Sequence, residues 1–198
     1  RTVTGVQRVL FRSDKPSAVE KAAADELAHY VKEITGQKLV EMKAGEYALS
    51  KVSGLSFFVG EEAAAVALGQ KPSPWKTEEH LLKTVRGGLV LAGDDDAKGE
   101  PWSVATAAGT MLAVYTLLED HLGVHWFWPG EFGEHVPRNA EAAVPDLDTR
   151  STPVFEIRSI QLGYFQYHTP VFAEAGRKWA RRSRLGWVRS AVFGHSWD

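Results

Sequence analysis

Apolar and polar residues alternate over residues 6–11 (VQRVLF), a period-two pattern that predicts a strand. Ser13 or Asp14 can then cap a helix whose first turn holds Pro16, and Val19, Ala23, Leu27, Tyr30 and Ile34 follow at steps of three and four. That spacing buries one helix face, and Gly36 closes the helix as the residue most tolerant of a left-handed backbone. Short apolar runs at 39–42 and 55–59 predict two strands, and residues 61–68 (EEAAAVAL) a short helix. After a loop with Pro72, Pro74 and Trp75, strands are expected at 80–85 and 89–92, joined by Arg86-Gly87-Gly88, a turn rich in the residues hairpins need. A second long helix is expected over 109–121, with Met111, Val114, Tyr115, Leu118 and Leu122 as its buried stripe and Gly123 as its end. Residues 124–128 are apolar, aromatic and strand-like, and Pro129-Gly130 stops them.

The order β-α-β-β-α-β-β-α-β describes a small α/β layered domain with helices on a mixed or antiparallel sheet, ending near residue 150. Residues 137–152, rich in Pro, Asp, Ala and Thr, read as a linker. A new unit is expected behind it: a strand at 154–161, a loop at 164–170, a basic helix at 173–185 and a strand at 189–193. One βαβ unit of this kind cannot cover both its faces, and a full (β/α)8 barrel needs about 250 residues. The expected division is therefore an accessory α/β domain over 1–150 and the truncated opening of a barrel over 151–198.

Composition narrows the chemistry. The 198 residues carry 23 Lys+Arg against 25 Asp+Glu, so no whole-surface basic field exists to hold nucleic acid. Aromatics at 11% and a 44% apolar content exclude intrinsic disorder, and no apolar run is long enough to span a membrane. The absence of cysteine removes disulfides, thiolate metal sites and cysteine nucleophiles together. The chain starts at Arg1, so a processed or cut product is expected, with any export signal already removed. Of seven Trp, six lie at or after Trp102.

Several groups invite a chemical reading. Asp94, Asp95 and Asp96 could attract a hard cation, but they lack the alternate-position ligands of a calcium loop, and a solvated turn is the preferred reading. Seven scattered His include His121 and His125, four apart but separated by Gly123, and neither HExxH nor GxSxG occurs. No metal site, cofactor or catalytic residue is assigned on this basis. Arg177, Lys178, Arg181, Arg182, Arg184 and Arg189 interleave with Trp179 and Trp187, superficially a single-strand binding pattern. Arg177, Arg181 and Arg184 share helical spacing, and a solvated helix face is preferred. The aromatic groups Trp126-Phe127-Trp128 and Tyr164, Phe165, Tyr167 and His168 could stack on sugar rings. An ordinary interdomain core is the preferred alternative for Trp126 and Trp128, whereas the alternatives stay open for Tyr164 to His168, whose loop follows the first barrel strand.

An ordered set of motifs completes the reading. The run AADELAHYVKEITG at 23–36 is followed by Phe58-Val59-Gly60 and by Leu89-Val90-Leu91-Ala92-Gly93. Then come GTMLAVYTLLEDHLGVHW at 109–126 and Phe132-Gly133-Glu134-His135-Val136-Pro137. Together they resemble the N-terminal domain of the domain-of-unknown-function 4838 group, related to glycoside hydrolase family 163. That domain is similar to the N-terminal domains of family 20 hexosaminidases and family 67 α-glucuronidases. The resemblance covers residues 5–160 and departs from the usual spacing by an insertion-like loop at 94–106.

The resemblance implies a secreted or periplasmic bacterial glycoside hydrolase, favouring an N-acetylhexosamine linkage, whose catalytic carboxylates lie on later barrel strands outside this chain. Glycosidic cleavage typically uses two carboxyl groups, or one plus a substrate acetamido group. It also implies that Arg158 resembles the first-strand arginine that contacts the non-reducing sugar, an ion pair being the alternative. His195, in Gly194-His195-Ser196-Trp197, is a second candidate contact, beside Tyr164 and His168. Glu156 precedes Arg158 by two on its strand and is not the acid/base candidate. The implied partner is a glycan bound through the complete barrel, and the isolated piece is expected to be inactive. An α-glucuronidase-like enzyme and a non-enzymatic glycan- or protein-binding module are the alternatives.

Overall fold

The computed structural model describes residues 8–49, 54–160 and 170–187. Its centre is a mixed six-stranded sheet made of β1 (Val9–Arg12), β2 (Val40–Lys43), β3 (Ser56–Val59), β4 (His80–Val85), β5 (Gly88–Gly93) and β8 (Asp148–Ser151). The strand order is β2-β1-β3-β5-β4-β8: the first four run parallel, β4 is antiparallel to both neighbours, and His80 pairs with Gly93 on one side and Ser151 on the other. Among the described residues four α-helices accompany it, α1 (Ala18–Thr35), α2 (Glu61–Leu68), α3 (Gly109–Thr116) and α4 (Pro170–Arg182). The expected α/β class with a mixed sheet is what the chain forms.

Period-two alternation sorts the core. Leu10, Phe57, Leu89 and Leu91 join α1 and α3 on one face. Val9, Phe11, Phe58, Val90 and Ala92 join α2 and the 3-10 turn Ala44–Leu49 on the other. Because these strands are buried on both faces, they read as nearly continuous apolar runs.

Several boundaries differ from the sequence expectation, each for a local reason. The cap of α1 is Ser17, not Ser13 or Asp14: its hydroxyl accepts from the Glu20 amide while Glu20 accepts from the Ser17 amide, a complete capping box. Gly36 closes α1 at φ 73°, as expected. The helix expected over 109–121 is α-helical only to Thr116 and widens into a π turn over Leu117–His121, closed by the Leu122 amide on the Leu117 carbonyl. Residues 148–151, expected within a linker, form the sixth sheet strand β8. The strand-like stretch 124–128 reduces to β6 (His125–Trp126), paired with β7 (Glu134–His135). The strand expected at 154–161 contracts to β9 (Ile157–Arg158), which pairs antiparallel with β10 (Gly186–Trp187). That ladder differs from the parallel one of a βαβ unit; the strand expected at 189–193 lies outside the described residues.

Candidate functional site

The carboxyl ends of β1, β3 and β5, the start of β4 and the end of β8 all lie at one end of the sheet, because β4 is the one reversed strand. In parallel α/β sheets ligands favour this end, at the crevice where successive helices leave for opposite faces. Here that crevice lies between β1, followed by α1, and β3, followed by α2.

Glu20 fills it. One carboxylate oxygen accepts from the Ser13 hydroxyl at 2.9 Å and from the Glu61 amide in the first turn of α2 at 2.9 Å, and the other from the Ser17 amide at 2.9 Å. A Cβ on Gly60 would lie 2.2 Å from the Glu20 oxygen, so only glycine fits between. The partial positive charge of the α2 N-terminus, an anion site in many folds, is met by an internal carboxylate.

Beyond it, α4 locks onto the same layer. Arg182 donates to both oxygens of Glu26 at 2.8 and 3.0 Å and to Glu134 at 2.5 Å. Tyr30 donates to Glu134, Tyr115 donates to Glu26, and the Trp126 indole donates to Tyr30. Burial raises the pKa of both phenols, so they stay protonated and act as donors. The expectation of a solvated basic face is corrected at three positions. Arg181 is 0% exposed and donates to the carbonyls of Pro101, Ser103 and Thr106, which ties down the loop over 94–106. Arg182, half-buried, is held in the network above, and Arg184 pairs with Glu119 and Asp120. Arg177 is exposed, as expected. The physical reason is that carboxylates and carbonyls distant in sequence converge on this helix, which no spacing within it reveals.

At the antiparallel edge the sheet end is open. The segment before β4 and the segment after β8 enclose a cavity of about 300 Å³ lined by Lys76, Thr77, Glu78, Thr152, Phe155 and Arg158, among others. Arg158 meets Glu78 at 2.8 Å and also donates to the carbonyls of Arg184 and Phe155. Three of its five N–H donors are thus committed within the chain. Next to it, Arg150 bridges Glu79 and the carbonyls of Pro72 and Pro74 while lying over the Trp75 ring at 4.5 Å. That bond to Arg150 is the main cause holding Glu79 below the usual carboxylate range.

Of the residues proposed from sequence to touch substrate, Arg158 lines this cavity, while Tyr164, His168 and His195 lie outside the described residues. The aromatic trio divides. Trp126 is a core residue, edge-on to Tyr30 and Tyr115, and its carbonyl accepts from the Trp179 indole. Trp128, for which a core position is also the preferred reading, is instead 54% exposed, and its chain neighbour Phe127 and Phe132 are exposed to a greater degree.

The Asp94–Asp96 turn is more than solvated. Asp94 accepts from the Glu78 amide, and Asp95 accepts from the Thr110 amide at the start of α3. Burial pushes Asp95 up to about 7. Only Asp96 is exposed as expected, accepting from the Lys98 amide. Among the described residues no group of three or more His, Cys, Asp or Glu could hold a metal ion, and no helix is long and apolar enough to cross a membrane.

Sequence reasoning missed Glu20, Glu26, Glu78, Glu134 and Arg182 as the groups that organise this end. Ser17-Ala18-Val19-Glu20 did carry a signal, a capping box opening an apolar-periodic run. Glu78 carried none. No protein-family model matches the chain, and no curated protein sequence matches it significantly.

Proposed function

We propose that the chain is the N-terminal accessory α/β domain of a glycoside hydrolase acting on complex glycans, followed by the opening βαβ unit of its (β/α)8 barrel. The reading rests on the ordered motif resemblance. The observation supporting it is a contrast in burial. The mixed sheet closes its own core, whereas Val154, Phe155, Ile157 and Ile160, directly behind β8, are exposed, Val154 at 90%. Exposed apolar runs of this kind mark surfaces that another element covers, and a barrel is the element proposed. An N-acetylhexosamine linkage is the favoured substrate, the catalytic carboxylates lie on later barrel strands, and the enzyme acts in a secreted or periplasmic setting. Arg158, Tyr164, His168 and His195 are the proposed substrate contacts, Arg158 acting through its two uncommitted N–H donors.

The test is hydrolysis of aryl N-acetylhexosaminides and aryl glucuronides by the 198-residue chain and by the product of the complete reading frame. Activity in the longer product alone supports the reading, with the preferred sugar, N-acetylhexosamine or glucuronate, separating the hexosaminidase from the α-glucuronidase version. Turnover by the 198-residue chain itself would sink it.

A second reading, a non-enzymatic glycan- or protein-binding module, is favoured by one feature. Phe127, Trp128 and Phe132 are exposed, Phe132 at 99%, on a turn fixed by the Phe127 amide on the Gly133 carbonyl and the Gly133 amide on the Gly130 carbonyl. Glycan-array binding by the chain that disappears in Trp128→Ala is the result expected of such a module.

A further inference from the structure

Among the described residues Arg181 is the largest side chain that the fold buries completely, and no carboxylate hydrogen-bonds to it. Glu78 and Glu100 act on it only through space. Its Nε donates to the Pro101 carbonyl and its Nη2 to those of Ser103 and Thr106, whereas Nη1 is buried with no partner among the described residues. Burial holds the guanidinium below its ordinary pKa, the direction expected of a cation short of compensating charge. A cation in that position is tolerated only while the carbonyl dipoles that solvate it stay in place.

All three carbonyls belong to one loop, residues 94–106, and the loop is held in two different ways. Its base is tied without α4. The Asp94 carboxylate accepts from the Glu78 amide, Asp95 accepts from the Thr110 amide, and the Asp96 amide donates to the Ala107 carbonyl. Its far part is a compact set of turns, with the Ser103 amide on the Glu100 carbonyl and the Thr106 amide on the Ser103 carbonyl. A Cβ on Gly99 would collide with the Thr106 methyl, so the two limbs lie against each other. This far part meets α4 through Arg181 and through Lys178, whose ammonium lies 5.6 Å from the centre of the Trp102 ring. Trp102 itself is half-buried against the core of α1 and α3, as is Trp179 of α4. Residues 97, 98, 100 and 105 face solvent.

We propose that α4 is a latch for the loop: helix and loop dock as one cooperative step, and they release together while the base of the loop stays tied. The dependence runs both ways. Without the loop, Arg181 loses every acceptor it has among the described residues. Without α4, the far part of the loop loses its charged donor and the cation over Trp102. Coupling between two such elements is reciprocal. Local units of this kind open at a free energy below that of global unfolding. Because α4 follows the last strand of the sheet, whatever draws that helix away also frees the loop at the carboxyl end of β5. The latch stands on the side chains alone and holds whether or not the chain belongs to a hydrolase.

The test is amide hydrogen exchange on the full 198-residue chain through a series of low urea concentrations. The Ser103 and Thr106 amides are expected to exchange through the same opening as the Ser183 and Leu185 amides that close α4, below the opening that exposes β3 and β5. Arg181→Met should speed exchange at Ser103 and Thr106 about ten- to a hundredfold and leave the Asp96 amide and β3 unchanged. Arg181→Lys keeps the charge without the planar fork and should fall between. Trp102→Ala reads the reverse direction and should speed exchange in α4, whereas Arg177→Met, on the exposed face of that helix, should alter neither element. The proposal is overturned if loop and helix open with different urea dependence, if Arg181→Met leaves the loop amides as protected as before, or if Trp102→Ala leaves α4 unchanged. Exchange that quickens equally through the whole sheet in both variants would make loop and helix part of one indivisible core and overturn it too. None of these outcomes depends on hydrolysis or on sugar binding, so the latch and the hydrolase reading can fail separately.

Discussion

Two carboxylates at the same end of the sheet meet opposite circumstances. Glu20, between β1 and β3, receives three donors and seals the crevice where a parallel α/β sheet ordinarily admits a ligand. Glu78, beside the reversed strand β4, lines an open cavity, receives Arg158 on one oxygen and leaves the other buried with no donor among the described residues. The difference follows from strand direction. Where parallel strands end, two helix starts bring backbone amides together and a single side chain satisfies them. Where β4 reverses, the connections to β4 and from β8 are loops, and loops at this end leave space. The chain thus closes the usual ligand position and opens another.

That comparison can be broken at several points. The largest effect is expected where α4 grips the closed half: Arg182→Met strands Glu26 and Glu134, both mostly buried, and should cost about 3–5 kcal/mol in urea denaturation. Glu20→Gln comes next. Every orientation of the amide points an NH₂ at a backbone or hydroxyl donor, so a loss of about 2–3 kcal/mol is expected by the same measurement. Glu78→Gln should cost less, about 1 kcal/mol, because the NH₂ can occupy the position that no donor faces. Equal losses at Glu20 and Glu78 would erase the distinction between the sealed and the open carboxylate.

The last test is a pH slope at Asp95. Its folded pKa is raised by burial from 3.8 to about 7, so between those values the folded state binds more protons than the unfolded chain. Its contribution to stability is therefore greatest at low pH, falls as pH rises through this window and is flat above it. Asp95→Asn, which keeps an acceptor for the Thr110 amide, should flatten the slope in denaturation midpoints measured across the same range. An unchanged slope would assign the pH dependence to other groups.

Much of the fold was legible because its signals are local. The helix over 61–68, the hairpin around Gly87 and the left-handed stop at Gly36 each depend on residues within a few positions of one another. The π turn was not legible, since it obeys the same apolar spacing as the helix it ends. Nor was β8, whose sequence Asp148-Thr149-Arg150-Ser151 lacks apolar alternation and becomes a strand by pairing with β4 at the sheet edge. The candidate site was legible only at Arg158, and there through resemblance. Its partner Glu78 lies 80 positions earlier in the chain, so nothing near either residue announces the pair.

The amino-acid sequence by itself determined the α/β class, the two-sided burial of the central strands and the start and stop of the main helices. Periodicity, capping and glycine conformation act over a single turn or strand. Tertiary structure alone decided that Arg181 is buried and Arg182 held in ion pairs rather than solvated, that Glu20 seals one crevice, and that Glu78 lines an open cavity. The reason is that a charged side chain's fate depends on which donors and acceptors arrive from distant elements. Only the sheet's strand order, with one strand reversed, settles who those neighbours are.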